Sequence, residues 1–381
     1  MRMLRFFQSL GIVATLAVVL FIATLPSVSV TEQLPSPVST TTLAVVPTPV
    51  PPSPLEAATN TPATSTPAIP NTEPPAKKPV VPKVPAVAPV PAEPVPAPAA
   101  PPAPTNAELD AAASTLRAAL VNIICYAPTG SGLRSISGSG VIVDPKGVIL
   151  TNAHIADRFL LADRGVSCTI RAGSPAVDRY RAALIYISPV WLRANPDILS
   201  KTNPIGTGEA DFAFLAVTKS ANSVALPTFF PYISLATLPP FVGTPVVIAS
   251  YGAQFLEASQ IQFALFPTIV FGSVKDVFTF ASTTIDVLAL GGSVAAQEGS
   301  SGGGVADAAG TLVGTITTST VKGTTDTRAL DAITASYIRA EYASETGEAL
   351  DLLLARPTTA AVAAFAPQIP ALEELITAQL P

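Results

Sequence analysis

Between residues 120 and 318 the chain carries twelve short apolar stretches, each bounded by Gly, Pro, Asp or Asn and none separated from the next by a helical repeat. The first six are "LVNIICYA", "SGSGVIVD", "GVILTNA", "SCTIRA", "YRAALIYIS" and "DFAFLAV". The second six are "TPVVIASYG", "QIQFALF", "TIVFGSVKDV", "TTIDVLAL", "GGGVADAA" and "GTLVGTITT". Parallel strands need long crossovers, usually helical, and no helical repeat is read between these stretches. The pattern therefore predicts an all-β fold of two antiparallel six-stranded β-barrels with short flanking helices. One helix is expected from Asn106 to about Leu120, with Thr105 or Asn106 as its cap and Leu109, Leu116 and Leu120 at helical spacing. Another is expected over "SYIRAEYASETGEALDLLLA", stopping before Pro357, and a short last one over "PALEELITAQL".

What precedes the strands is of another kind. Residues 31–104 hold 23 of the chain's 40 prolines, alternating with Ala, Val, Thr and Ser and lacking aromatic side chains. Such a segment cannot bury enough apolar surface to offset its ordering entropy, and proline biases it toward polyproline II. At about 3.1 Å per residue it reaches on the order of 200 Å when extended. It reads as a stalk, with docking of its Pro-rich motifs into a partner as the other use. Ahead of it, Arg2 and Arg5 precede an apolar run from Leu10 to Leu25, followed by Pro26 and the small residues Ser27 and Ser29. This predicts a single-pass signal anchor with the arginines on the cytoplasmic side, or a signal peptide if it is cleaved. The expected organisation is thus 1–30 anchor or signal, 31–104 disordered linker, and 105–381 one folded domain outside the cytoplasm, periplasmic or at the cell surface.

Charge and ligand chemistry narrow the function. Residues 105–381 carry 16 basic and 22 acidic side chains, a net of −6, with no basic patch for nucleic acid. The two cysteines, Cys125 and Cys168, suit an oxidising compartment. With one histidine in the whole chain they make a poor metal set, so neither metal nor cofactor is expected.

Three local strings carry the chemistry. His154 ends the apolar run of "GVILTNAHIAD", Asp211 opens "ADFAFLAV", and Ser301 lies within the glycines of "EGSSGGGV". Each alone has a plainer explanation: a structural histidine, a turn aspartate, a flexible loop. Together they supply a hydroxyl nucleophile, a base to take its proton, and a carboxylate to hold that base's tautomer. The glycines allow a tight backbone that turns the amides of Gly299 and Ser301 toward one developing oxyanion. A phosphate cradle is excluded, because no Gly-Lys-Ser/Thr follows and no strand-to-helix unit surrounds the loop.

The strings "SGSGVIVDPKGVILTNAHIAD", "ADFAFLAV" and "EGSSGGGV" resemble the three catalytic signatures of chymotrypsin-fold, trypsin-like serine peptidases, closest to the bacterial high-temperature-requirement (Deg-type) branch, over roughly residues 115–335. The resemblance implies His154 as general base, Asp211 as its orienting carboxylate, Ser301 as nucleophile, and the Gly299 and Ser301 amides as oxyanion hole. It also implies a specificity pocket with Ala295 at its floor and Thr317 to Ser319 along its wall, and a disulfide between Cys125 and Cys168 on the first and fourth strands. Gly304 departs from the family's usual proline, the connection from Asp286 to Ser301 is long, and the chain after 335 leaves no room for a PDZ domain. The function so implied is a membrane-tethered serine endopeptidase acting on polypeptides through an acyl-enzyme. The other readings are a catalytically silent trypsin-like fold that binds peptides or envelope components on a stalk, and a stalked surface adhesin. Oligomeric state is not readable from the sequence.

Overall fold

The computed structural model describes residues 104–201, 207–280, 283–319, 323–378 and 380, without the side chains of 318 and 319. The anchor or signal segment and nearly all of the linker lie outside these residues. No helix among the described residues is long and apolar enough to cross a membrane.

The chain enters through α1 (Asn106–Ala119), whose N-cap Thr105 and Glu108 form a reciprocal capping box. Its buried face, Ala112, Leu116 and Ala119, repeats at three- and four-residue intervals, and the helix leads into the strands that follow. Those strands are β1 (Leu120–Tyr126), β2 (Ile136–Asp144), β3 (Val148–Thr151), β4 (Ser167–Ala172), β5 (Val177–Ile187) and β6 (Ala213–Ser220). They close a barrel in the order β1-β2-β3-β6-β5-β4. Closure comes from antiparallel pairing of β1 with β4, in which Cys125 stands directly opposite Cys168, and the two form a disulfide. Both faces of the barrel strands are covered: Ile123, Ile149 and Ile170, and on the opposite face Leu150 and Phe214, are almost wholly buried, with Phe214 packing edge-on against Tyr342.

The second set is β7 (Pro245–Ser250), β8 (Thr268–Ser273), β9 (Asp276–Phe278), β10 (Val287–Ala289), β11 (Gly304–Asp307), β12 (Leu312–Ser319) and β13 (Leu330–Thr334). It forms a seven-stranded sheet, β8-β7-β11-β12-β13-β10-β9, and not the closed six-stranded ring expected. The expected strand "TIVFGSVKDV" supplies both edges. It breaks at Val274 and Lys275, whose amides donate to Thr244 and Ala289, so one bent stretch pairs with β7 first and β10 afterwards.

Other expectations change too. "QIQFALF" is not a strand: residues Ala258–Phe263 form α4, started by a capping box between Glu257 and Gln260, and bury none of their side chains. The short helices α2 (Ala153–Ala156) and α3 (Pro189–Ala194) stand in the first half of the domain. The single C-terminal helix divides into α5 (Ala335–Thr346) and α6 (Leu350–Ala355), because Gly347 takes a left-handed cap at φ 72°. Two more, α7 (Thr358–Phe365) and α8 (Ile369–Thr377), follow. The glycine at 304 also has a local cause. A Cβ there would stand 2.7 Å from Leu116 Cδ1 of α1 and 2.8 Å from Leu312 Cδ1, so a larger residue would have to displace the ends of both leucines.

Candidate active site

Three elements deliver the polar residues. β3 ends at Thr151, and α2 turns His154 back over the barrel edge. The carboxylate of Asp211, at the start of β6, receives that histidine twice: Nδ1 lies 2.7 Å from Oδ2, and the His154 backbone amide donates to Oδ1 at 3.1 Å. Asn152 Nδ2 donates to the Asp211 carbonyl at 2.9 Å, and Thr317 Oγ1 donates to Asp211 Oδ2 at 2.8 Å. With Nδ1 facing a carboxylate, the proton of a neutral ring sits on Nδ1 and Nε2 is left as the acceptor. Burial pulls the imidazole pKa down, but the charge and hydrogen bond of Asp211, helped by Asp157, outweigh it, and the net shift is upward.

Asp157 sits one turn after His154, fully buried, with Arg158 Nη1 donating to its Oδ2 at 3.0 Å. Burial raises its pKa to about 6 against the opposing charges of Arg158 and His154. Among the described residues its Oδ1 has no partner, and neither has Arg158 Nε.

The loop 297–303 is fixed through both its carbonyls and its amides, among them Gly302, which donates to Ile316 O at 2.8 Å. Glu298 O accepts from the Ala253 amide at 2.8 Å, Ser300 O from Gly303 at 2.9 Å, and Ser301 O from Ser139 at 2.7 Å. Ser139 Oγ donates to Gly299 O at 2.8 Å and accepts from the Tyr251 amide at 2.8 Å, so one buried serine of β2 ties this loop to the first barrel. In a trans peptide the N–H points opposite to the preceding carbonyl. Anchoring Glu298 O and Ser300 O therefore turns the amides of Gly299 and Ser301 away from those contacts, and among the described residues neither amide donates to anything. Gly299 (φ 90°) and Gly302 (φ 82°) hold left-handed conformations, and a Cβ on Gly302 would meet Ser139 O and Thr151 Oγ1. That contact seats the loop against the end of β3, three residues before His154. Ser301 Oγ makes no hydrogen bond to His154 among the described residues.

The structure thus joins His154 with Asp211 and brings Ser301's loop to the same barrel edge. Ala295 is wholly buried. Thr317 commits its hydroxyl to Asp211, a contact its expected place along a pocket wall did not foresee. Ser319 pairs with Leu330 across β12 and β13. Sequence reasoning missed Ser139 and Asn152 as site residues; both lie in the quoted strings, but no spacing signals contacts that span 160 and 59 positions. Among the described residues no group of three or more His, Cys, Asp or Glu could hold a metal ion.

Residues 138–314 match the family model described as a trypsin-like peptidase domain. No curated protein sequence matches the chain. Among solved structures, the active form of the Rv3671c protease from M. tuberculosis is similar at 19% identity and a TM-score of 0.40, over 65% of this chain and 88% of that one. The inactive form of the Rv3671c protease is similar at 18% identity and a TM-score of 0.40, over 64% and 98%.

Proposed function

We infer that the chain is a serine endopeptidase acting on polypeptides, with His154 as general base, Asp211 as its orienting carboxylate and Ser301 as nucleophile; the match of residues 138–314 to the trypsin-like peptidase domain supports this reading. The observation that carries this reading is the 2.7 Å contact of His154 Nδ1 with Asp211 Oδ2, which leaves Nε2 free to take a proton. Ser301 Oγ attacks the scissile carbonyl carbon while its proton passes to Nε2. The carbonyl oxygen, now negative, is met by the undonated amides of Gly299 and Ser301. As the C–N bond breaks, the imidazolium returns its proton to the leaving amine, and water attacks the acyl-enzyme by the same path in reverse. Catalytic hydrogen bonds often lengthen without substrate, so the absent Ser301–His154 bond is compatible with this cycle.

That absence is also what a catalytically silent peptide-binding domain would show. The two readings separate on one reagent: a fluorophosphonate reacts with an activated serine and not with an inert one. The tether belongs to the same proposal. Arg2 and Arg5 before an apolar run, and a Pro-rich stretch behind it, support a domain held outside the cytoplasm on a stalk. Fractionation with and without detergent tests it: full-length protein in the membrane fraction supports an anchor, and a shortened, soluble product supports a cleaved signal.

A further inference from the structure

Ala210, the residue before Asp211, has φ 54° and is the only non-glycine with a positive φ among the described residues. The left-handed region disfavours alanine, and such a residue persists only where its surroundings hold it. Ala210 is buried, and its amide donates at 2.9 Å to the hydroxyl of Tyr337 on α5, 127 residues away. Tyr337 is itself fixed. Its backbone amide donates to the N-cap Thr334 at 3.0 Å, and its ring packs edge-on against Phe280 with centroids 5.1 Å apart. From the strand side, the Asp211 amide donates to Gly208 O and the Phe212 amide to Ala210 O.

We propose that Tyr337 is a positioning residue for the carboxylate beside His154: its hydroxyl holds Ala210 in the left-handed turn that presents Asp211 to the imidazole. This rests on the proposed roles of Asp211 and His154. Without the hydroxyl, the Ala210 amide becomes a buried donor with no acceptor, and the turn relaxes toward a conformation alanine prefers, carrying Asp211 off the ring. The charges acting on His154 are Asp211, Asp157 and Arg158, and those near Tyr337 are Glu341, Glu209 and Asp286. Removing a phenol oxygen alters none of them, so a change in the His154 titration reports the placement of Asp211.

Because His154 is the chain's only histidine, its ring carbon resonances in histidine-labelled full-length protein are unambiguous. We expect Tyr337→Phe to lower its pKa by roughly half a pH unit or more, as the carboxylate's influence weakens. Ala210→Gly alone should leave the titration unchanged, and in the Tyr337→Phe background it should restore it, since glycine holds the turn without support. On any peptide the wild type cleaves, kcat should fall by about tenfold in Tyr337→Phe, with KM little changed, and recover in the double variant. If Tyr337→Phe alone does not fold, the double variant should fold and titrate as wild type. An unchanged titration in Tyr337→Phe, or a fall that Ala210→Gly does not reverse, overturns the proposal. The titration reads Asp211 whether or not the protein cleaves peptides, so an inactive wild type counts against the proposed function and not against this role.

Discussion

The hydroxyl of Thr317 donates to Asp211 Oδ2 at 2.8 Å across 106 residues of sequence, joining a strand of the second sheet to the carboxylate that faces His154. The carboxylate is thus held from both halves of the domain. Thr317→Val keeps the shape of the side chain and removes the donor. Hydrogen bonds to charged groups contribute about 1.5–3 kcal/mol, so kcat/KM should fall by roughly ten- to a hundredfold, mostly through kcat. Steady-state kinetics on one peptide checks this, and a variant with wild-type kcat would remove Thr317 from the site.

Ser300, the residue before the proposed nucleophile, is buried, and its hydroxyl accepts from Ser250 Oγ at 3.1 Å. In peptidases of this fold that need activation, an Asp at this place pairs with a newly freed α-amine. A neutral serine already satisfied by a neighbour has no use for that charge. Full-length protein should therefore react with a fluorophosphonate at the same rate before and after trimming near residue 115. A rate that rises sharply on trimming contradicts this.

The three strings around His154, Asp211 and Ser301 were legible because each is local and each brings its own turn chemistry. What surrounds them was not. The bond from Thr317 to Asp211 was not legible, since nothing in "GTLVGTITT" says that its hydroxyl turns toward a residue 106 positions earlier. "QIQFALF" suggested a strand, but Glu257 and Gln260 cap a helix there. β13 went unread because "LDAIT" is five residues long and acquires its strand character from pairing with β10 and β12.

Asp157 gives the fold a pH dependence with a definite sign. Its folded-state pKa of about 6 lies above the ordinary 3.8, so between these values the native state binds more protons than the unfolded one. Its contribution is favourable below about pH 4 and is lost as pH rises through about 6, a change of roughly 2–3 kcal/mol. Asp157→Asn should flatten this part of the profile and stabilise the protein at neutral pH. Urea unfolding between pH 4 and 7 measures it; a variant that parallels the wild type throughout would show that Asp157 is charged in the native state.

The disulfide between Cys125 and Cys168 encloses a loop with a sequence separation of 43. In the chain-entropy model a loop of that length contributes about 4 kcal/mol. Intact mass without reductant should show no thiol open to alkylation, and reductant should lower the denaturation midpoint. Equal midpoints with and without reductant would deny the bond a stabilising role.

Ala295 is buried, and the charged side chain that reaches its neighbour is a cation: Arg328 Nη1 donates to Ala296 O at 2.9 Å. A lysine or arginine of the substrate placed there would meet the like charge of Arg328. Small or medium aliphatic residues should be preferred before the cleaved bond, and a peptide library cleaved chiefly after Lys or Arg would reject Ala295 as the pocket floor.

The central claim is that Ser301 is an activated nucleophile served by His154. Its most direct test is the intact mass of full-length protein after fluorophosphonate treatment, with the adduct located by peptide mapping. One adduct on Ser301 in the wild type, absent in Ser301→Ala and in His154→Ala, is the result this account predicts. A wild type that takes up no reagent, or an adduct that survives Ser301→Ala, contradicts it.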